Sequence, residues 1–261
     1  MVERDDRPSI DQPFVLPTPV ASFHLPPPLR GGSRVTLAEA AARHARVKRL
    51  AVGDTLRLTD GRGHVAFGEI DELARDRLSV ALRPLILSIT PPPPIHLCVP
   101  VGDRDRMLWL AEKAAELGAA SWRPVHFRRS SSVSPRGEGD VFARKVEARM
   151  IGALEQSGGD WLPLILPGVS VDELASTDVS NRQCIRLDRA GDPLLTVARQ
   201  AGAREPMLLF GPEGGIDDDE RALLDGAGWR PARLADTTLR FETAGVAAIA
   251  VIRAAQLTGD T

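Results

Sequence analysis

Two polar segments carry the groups most able to do chemistry: GPEGGIDDDE at residues 211–220 and LADTTLRFETA at residues 234–244. The first follows an apolar run and opens what reads as a helix. A glycine-rich turn in that setting usually cradles phosphate with backbone N–H groups. Here the chemistry argues otherwise. The turn carries Glu213 and runs into Asp217, Asp218, Asp219 and Glu220. It lacks the Lys-Ser/Thr pair of a nucleoside-triphosphate loop, and GPEGG is not GxGxxG. Asp217 and Glu220 have capping-box spacing, so these acids serve the helix N-terminus and occupy its dipole. Gly211, Gly214 and Gly215 allow the backbone to approach a flat or compact ligand that bears no net negative charge. Adenosine carrying a cationic sulfonium fits: backbone groups read the base, and acidic surroundings tolerate the positive centre.

Elements of a particular kind must position these loops. From residue 95 onward, strand and helix patterns alternate. Strands are predicted at about Ile95–Pro100, Trp122–Phe127, Pro163–Leu166, Cys184–Leu187 and Met207–Phe210. Helices are predicted over Arg104–Leu117, closed by Gly118, over Val141–Ser157, and over the apolar stretch Ala244–Leu257. The alternation predicts an α/β domain with a largely parallel sheet, in which ligands sit beyond the carboxyl ends of strands. GPEGG falls at such an end.

Pro91-Pro92-Pro93-Pro94 marks the clearest boundary, a stiff extended spacer. Ahead of it, residues 21–90 read as a small β module. Thr55–Thr59 alternates, Asp60-Gly61 signals a hairpin, His64–Ile70 returns, and Leu78–Leu82 is a third strand. Thr36-Leu37-Ala38-Glu39 has capping-box spacing and predicts a helix through about Leu50. That helix carries Arg43, His44, Arg46, Lys48 and Arg49, either a solvated face or a contact for an RNA backbone. Arg128 and Arg129 open a polar loop with Ser130, Ser131 and Ser132, and residues 1–20 read as a loose extension.

Charge and composition narrow the classes. Residues 21–90 hold 11 Lys and Arg against 7 Asp and Glu, whereas residues 91–261 hold 20 against 24. A polyanion would therefore be gripped mainly by the first module. No apolar run approaches a membrane span of roughly 20 residues. The first residues, MVERDDRPSIDQPFVLPTP, lack the basic and apolar regions of a secretory signal. Cys98 and Cys184 lie in apolar runs without CxxC spacing and read as buried free thiols of a cytoplasmic protein. His24, His44, His64, His96 and His126 form no pair of metal-binding type, so no metal site is expected.

GPEGG followed by Leu-Arg-x-Glu-Thr-Ala resembles the SPOUT methyltransferases that methylate N3 of a uridine in 16S ribosomal RNA. Lys113-Ala-Ala-Glu116-Leu-Gly118, Glu155-Gln156-Ser157-Gly158, and Arg46-Val-Lys-Arg49 followed by Val52-Gly53-Asp54 carry the resemblance further, over roughly residues 21–257. It implies a PUA-like RNA-binding β-barrel over 21–90 and a methyltransferase domain over 95–261 with a deep trefoil knot. It implies S-adenosyl-L-methionine bound between loops 210–215 and 234–243: Leu187, Phe210, Gly211, Pro212, Glu213, Gly214, Gly215, Leu234, Ala235, Thr238, Leu239 and Thr243. It also implies a homodimer acting on 16S ribosomal RNA or the small ribosomal subunit, with Arg43, Arg46, Lys48, Arg49, Arg128 and Arg129 on the RNA. Arg240 would orient the base and stabilise its developing anion, unless it pins the knot through Glu242. Glu242 is a possible proton acceptor or structural partner. Ala235 and Gly159 stand where the family usually has Gly and Arg. An enzyme acting at another RNA position, or a non-catalytic assembly factor of the same fold, are the alternatives.

Overall fold

The computed structural model describes residues 17–130, 137–200 and 202–258. Most of the expected 1–20 extension, and Ser131 and Ser132 of the polar loop, lie outside the described residues.

Strands β1 (Ala21–His24), β2 (Arg34–Leu37), β3 (Thr55–Thr59), β4 (His64–Leu73) and β5 (Leu78–Ser88) form one sheet, with helix α1 (Glu39–Val47) between β2 and β3. The order is β1-β3-β4-β5-β2, antiparallel except for the β1–β3 pair. Long β4 and β5 change register between Ala66 and Gly68 and again between Ile70 and Glu72, the bulges that let a long hairpin bend. Leu56, Leu58, Ile70 and Val80 bury against Ala42 and Ala45 of α1.

The capping box expected at Thr36 is absent. Thr36 belongs to β2, where it pairs with Ser79 of β5. The sheet ladder claims its backbone, and the helix begins at Glu39 behind Ala38, which supplies no side-chain cap. The helix also stops earlier than expected, at Val47, and Arg49 turns the chain with φ of +58°.

The second sheet contains β6 (His96–Pro100), β7 (Ser121–His126), β8 (Leu164–Ile165), β9 (Val169–Ser170), β10 (Arg182–Pro193), β11 (Glu205–Leu209) and β12 (Arg230–Arg233). Helices α2 (Arg104–Glu116), α3 (Asp140–Ser157), α4 (Val171–Ala175), α5 (Leu194–Arg199), α6 (Asp218–Gly226) and α7 (Phe241–Leu257) connect or follow these strands. Every ladder is parallel, in the order β12-β10-β11-β6-β7-β8, with β9 also on β7. Alternation along β6 feeds two cores: Leu97 and Val99 join Met107, Leu110 and Ile249, while Cys98 joins Leu209, Leu224 and Trp229. Both cysteines are buried and free. Burial pushes the Cys98 thiol up to about 12, too high for a reactive thiolate.

Segment 159–162 joins the two sheets. The Leu162 N–H donates to Gly61 O at 2.8 Å, the Gly63 N–H donates to Asp160 O at 2.9 Å, and Arg57 pairs with Asp160. His96, at the amino end of β6, is held neutral, its pKa lowered to about 4 by burial and the Arg182 charge. It therefore serves the sheet end remote from the glycine loop.

Candidate functional site

β11 and β12 release their carboxyl ends, and β10 between them turns residues 187–189 out of its ladder, into one cavity of about 320 Å³. β11 delivers the first loop. Phe210 is 1% exposed. A Cβ on Gly211 would lie 2.9 Å from Ile216 Cγ1, so only glycine lets the loop fold back on itself there. Gly215, at φ of +74°, returns its N–H to Pro212 O at 2.9 Å. β12 delivers the second loop. The strand contains Pro231 and two arginines, which masked it in the sequence; as an edge strand it tolerates the proline.

The expected cofactor residues divide. Leu187, Phe210, Gly211, Pro212 and Gly215 line the cavity on one stretch of wall, and Leu234, Ala235, Thr238 and Leu239 on another. Glu213, Gly214 and Thr243 do not line it. Glu213 accepts from Arg106 Nη1 at 3.0 Å, and a Cβ on Gly214 would meet Arg129 at 3.1 Å rather than the cavity. Thr243 lies in the first turn of α7, which begins at Phe241, three residues before the expected start.

The acids after the loop do not create a negative cavity, contrary to the sequence expectation. Asp217 caps α6 and forms a capping box with Glu220. Glu220 is 3% exposed and accepts the Arg128 N–H at 2.8 Å and the Asp217 N–H at 3.2 Å. Arg128 Nη1 reaches Asp219 at 3.0 Å and Asp217 at 3.3 Å, and Arg129 reaches Asp217 at 3.4 Å. The hydrogen bond with Asp219 is the main reason the Arg128 pKa is raised. Arg128 and Arg129, expected on RNA, are thus engaged with the α6 N-terminus.

Charged residues missed in the sequence do line the cavity: Asp188, Arg189, Arg221 and Arg233. Burial raises the Asp188 pKa, but the Ala190 N–H, Arg221 and Arg186 outweigh it and hold the carboxyl below its ordinary value. Its signal was weak because Asp-Arg-Ala-Gly-Asp reads as an ordinary polar turn.

Arg240 and Glu242 are not a pair. Arg240 is the N-cap of α7, between lining residues Leu239 and Phe241; its carbonyl accepts the Ala244 N–H at 2.9 Å, while its exposed side chain makes no hydrogen bond or ion pair among the described residues. Glu242 is 9% exposed and turns to Arg106, 3.9 Å from Nε, leaving its Oε2 without a hydrogen-bond partner among the described residues. The salt bridge between them that the sequence left open does not form: Glu242 faces Arg106 instead. Arg106, unnoticed in the sequence, ties the first loop at Glu213 to the first turn of α7 at Glu242.

In the first module, Arg43, Lys48 and Arg49 are exposed without ion pairs among the described residues, whereas Arg46 donates to Ala74 O at 3.0 Å and Arg75 O at 2.7 Å. No group of three or more His, Cys, Asp or Glu among the described residues is placed to hold a metal ion. Among them, too, no helix is long and apolar enough to cross a membrane.

A parallel α/β sheet with a cavity among three adjacent strands, beside a small β module, has known counterparts. The chain belongs to the RNA methyltransferase family: that family's domain matches residues 90–253, and the RNA methyltransferase PUA domain matches residues 37–82. Among relatives, ribosomal RNA small subunit methyltransferase E of Synechocystis sp. is 28% identical over 227 residues, covering 84% of this chain and 73% of its own. The Mycobacterium tuberculosis protein of the same name is 28% identical over 220 residues, covering 80% and 81%. The Neisseria gonorrhoeae ribosomal RNA small subunit methyltransferase E, bound to S-adenosyl methionine, superposes with a TM-score of 0.75 at 25% identity, covering 90% of this chain and 97% of its own. A Legionella pneumophila methyltransferase structure with bound cofactor SAM gives 0.74 at 26% identity, with the same coverage.

Proposed function

We propose that the protein transfers the methyl group of S-adenosyl-L-methionine to N3 of a specific uridine in 16S ribosomal RNA, within the small subunit or its precursor. The observation that carries this reading is the cavity among β10, β11 and β12, in a chain whose relatives are small-subunit methyltransferases and whose structural counterparts hold that cofactor. The residues present fit the cofactor. The volume suits a compact ligand, and Leu187, Phe210, Leu234 and Leu239 would offer apolar surface to an adenine ring, with the backbone of the two loops available to its polar edge. When bound, S-adenosylmethionine supplies an electrophilic methyl group.

The chain's own task is to present the base and manage one proton. N3 of uridine carries a hydrogen on the Watson–Crick edge, so the base must be unpaired or flipped and must lose that proton. Asp188, the carboxylate on the cavity wall, is occupied by Arg186, Arg221 and the Ala190 N–H. Arg240 projects from the α7 cap with its guanidinium uncommitted; a planar fork there stabilises charge developing on N3 and O4, and the proton passes to water. Arg106 and Glu242 act as positioning residues that fix the cap from which Arg240 extends. The first module grips RNA phosphates through Arg43, Lys48 and Arg49.

The same reading includes a trefoil knot formed by the last strands and α7. The passage from β11 to β12 on the far side of β10 supports it. It also includes a homodimer, which the exposed Trp109 of α2 suits, working in the cytoplasm where ribosomes are assembled. The test is methylation of small subunits lacking the modification, using methyl-labelled cofactor, followed by nucleoside analysis. N3-methyluridine at a single position is the expected product. A different methylated nucleoside would move the target, and no methyl transfer would leave a non-catalytic RNA-binding factor.

A further inference from the structure

We infer that Arg189 takes the carboxylate at the amino-acid end of the cofactor, presented by a bulge of β10 built for that purpose. This rests on the reading of the cavity as the S-adenosylmethionine site. Strand β10 is interrupted within its pairing to β12: Leu187 and Asp192 both pair with Ala232, so residues 188–191 leave the ladder and re-enter at the same point. The excursion is fixed at both ends. Asp188 Oδ1 accepts the Ala190 N–H at 3.0 Å, closing a turn. Gly191 passes so close to β12 that a Cβ would lie 2.4 Å from Ala232 N and 2.5 Å from Pro231 O. Beneath the turn, the Asp188 carboxylate is clamped by Arg186, which is 2% exposed, and by Arg221. A rigid bulge of this kind re-aims one side chain, and the side chain between the two anchors is Arg189.

The charges around the cavity show what that side chain lacks. Asp188 and Arg221 neutralise each other, and Arg233 lies 3.4 Å from Asp236. Arg189 alone of the charged lining residues has no ion pair among the described residues; its one hydrogen bond is a long contact of 3.5 Å to Thr238 Oγ1 in the second loop. An uncommitted guanidinium on a concave wall selects an anion, and its fork matches a carboxylate. Adenosine has no such group, whereas the amino-acid end of the cofactor does. Arg189 would therefore distinguish the whole cofactor from its adenosyl fragment, and by bridging to Thr238 it would close the second loop over the ligand.

Calorimetric titration of the full chain and of Arg189→Gln tests this with three probes: S-adenosylmethionine, S-adenosylhomocysteine and 5′-methylthioadenosine, which lacks the amino-acid end. Loss of a charge-assisted pair predicts affinity for the first two lowered about tenfold or more. Methylthioadenosine should bind both proteins equally, and Arg189→Lys should recover part of the loss. Equal weakening of all three probes would mean a distorted cavity, and unchanged binding of all three would place the carboxylate elsewhere; either overturns the inference. Weakened RNA binding with unchanged S-adenosylhomocysteine affinity would assign the guanidinium to a phosphate instead, and overturns it too. Failure of the unaltered chain to bind any adenosyl probe would sink the cofactor reading itself, a result separable from the others.

Discussion

Arg240 is exposed, carries no partner among the described residues, and contributes its backbone rather than its side chain to the start of α7. Its removal should therefore cost little stability. If it stabilises charge as the uracil proton leaves, Arg240→Ala should lower single-turnover methylation of saturating RNA by about 10²–10³, with melting temperature nearly unchanged. Arg240→Lys, which keeps charge but loses the planar fork, should recover only part of the rate. Near-normal turnover by Arg240→Ala would remove it from the chemistry. Glu242 presents the opposite profile, being buried against Arg106, and its effects should appear first in stability.

Helix α6 shows how an element can be held in place by charges that look like a ligand site. Its acidic first turn meets Arg128 and Arg129, and its Glu220 carboxylate accepts two backbone N–H groups from different segments. Glu220→Ala would leave both donors without that acceptor in a buried position. The expected loss is about 2–3 kcal/mol, read from urea denaturation, because both hydrogen bonds are charge-assisted. Loop 211–216 lies just ahead of this cap, so cofactor affinity should fall with stability. Unchanged stability would mean that water replaces the carboxylate.

Across the whole molecule, the arginines that read as one RNA-binding set separate into two groups. Arg46, Arg128 and Arg129 hold protein partners, while Arg43, Lys48 and Arg49 stay free among the described residues on the first module. Segment 159–162 and the Arg57–Asp160 pair connect that module to the α/β sheet, so if α1 grips RNA as proposed, it would constrain where the base arrives. Arg43→Ala combined with Lys48→Ala should flatten the salt dependence of RNA binding by up to about two units of slope, leaving cofactor affinity unchanged. An unaltered slope would make that face an ordinary solvated one.

The α/β alternation, the Asp217–Glu220 capping box and the loops at strand ends were legible because each depends on short-range pattern: hydrophobic period, capping spacing, glycine at a turn. Gly211 and Leu234 stand at the heads of the two motifs, and the family resemblance that those motifs carry was what set them beside Phe210 and Leu187. The capping box at Thr36 was misread because a ladder with β5, more than forty residues away, competes for the same backbone. β12 was invisible because its Arg-Pro-Ala-Arg sequence has no strand period, and only its neighbour β10 makes it a strand. The partners of charged residues were decided by the tertiary fold alone. Coulomb attraction acts through space, and spacing along the chain gave no sign that Arg106 reaches Glu213 and Glu242, that Arg128 reaches Asp219, or that Arg189 has no counter-ion among the described residues.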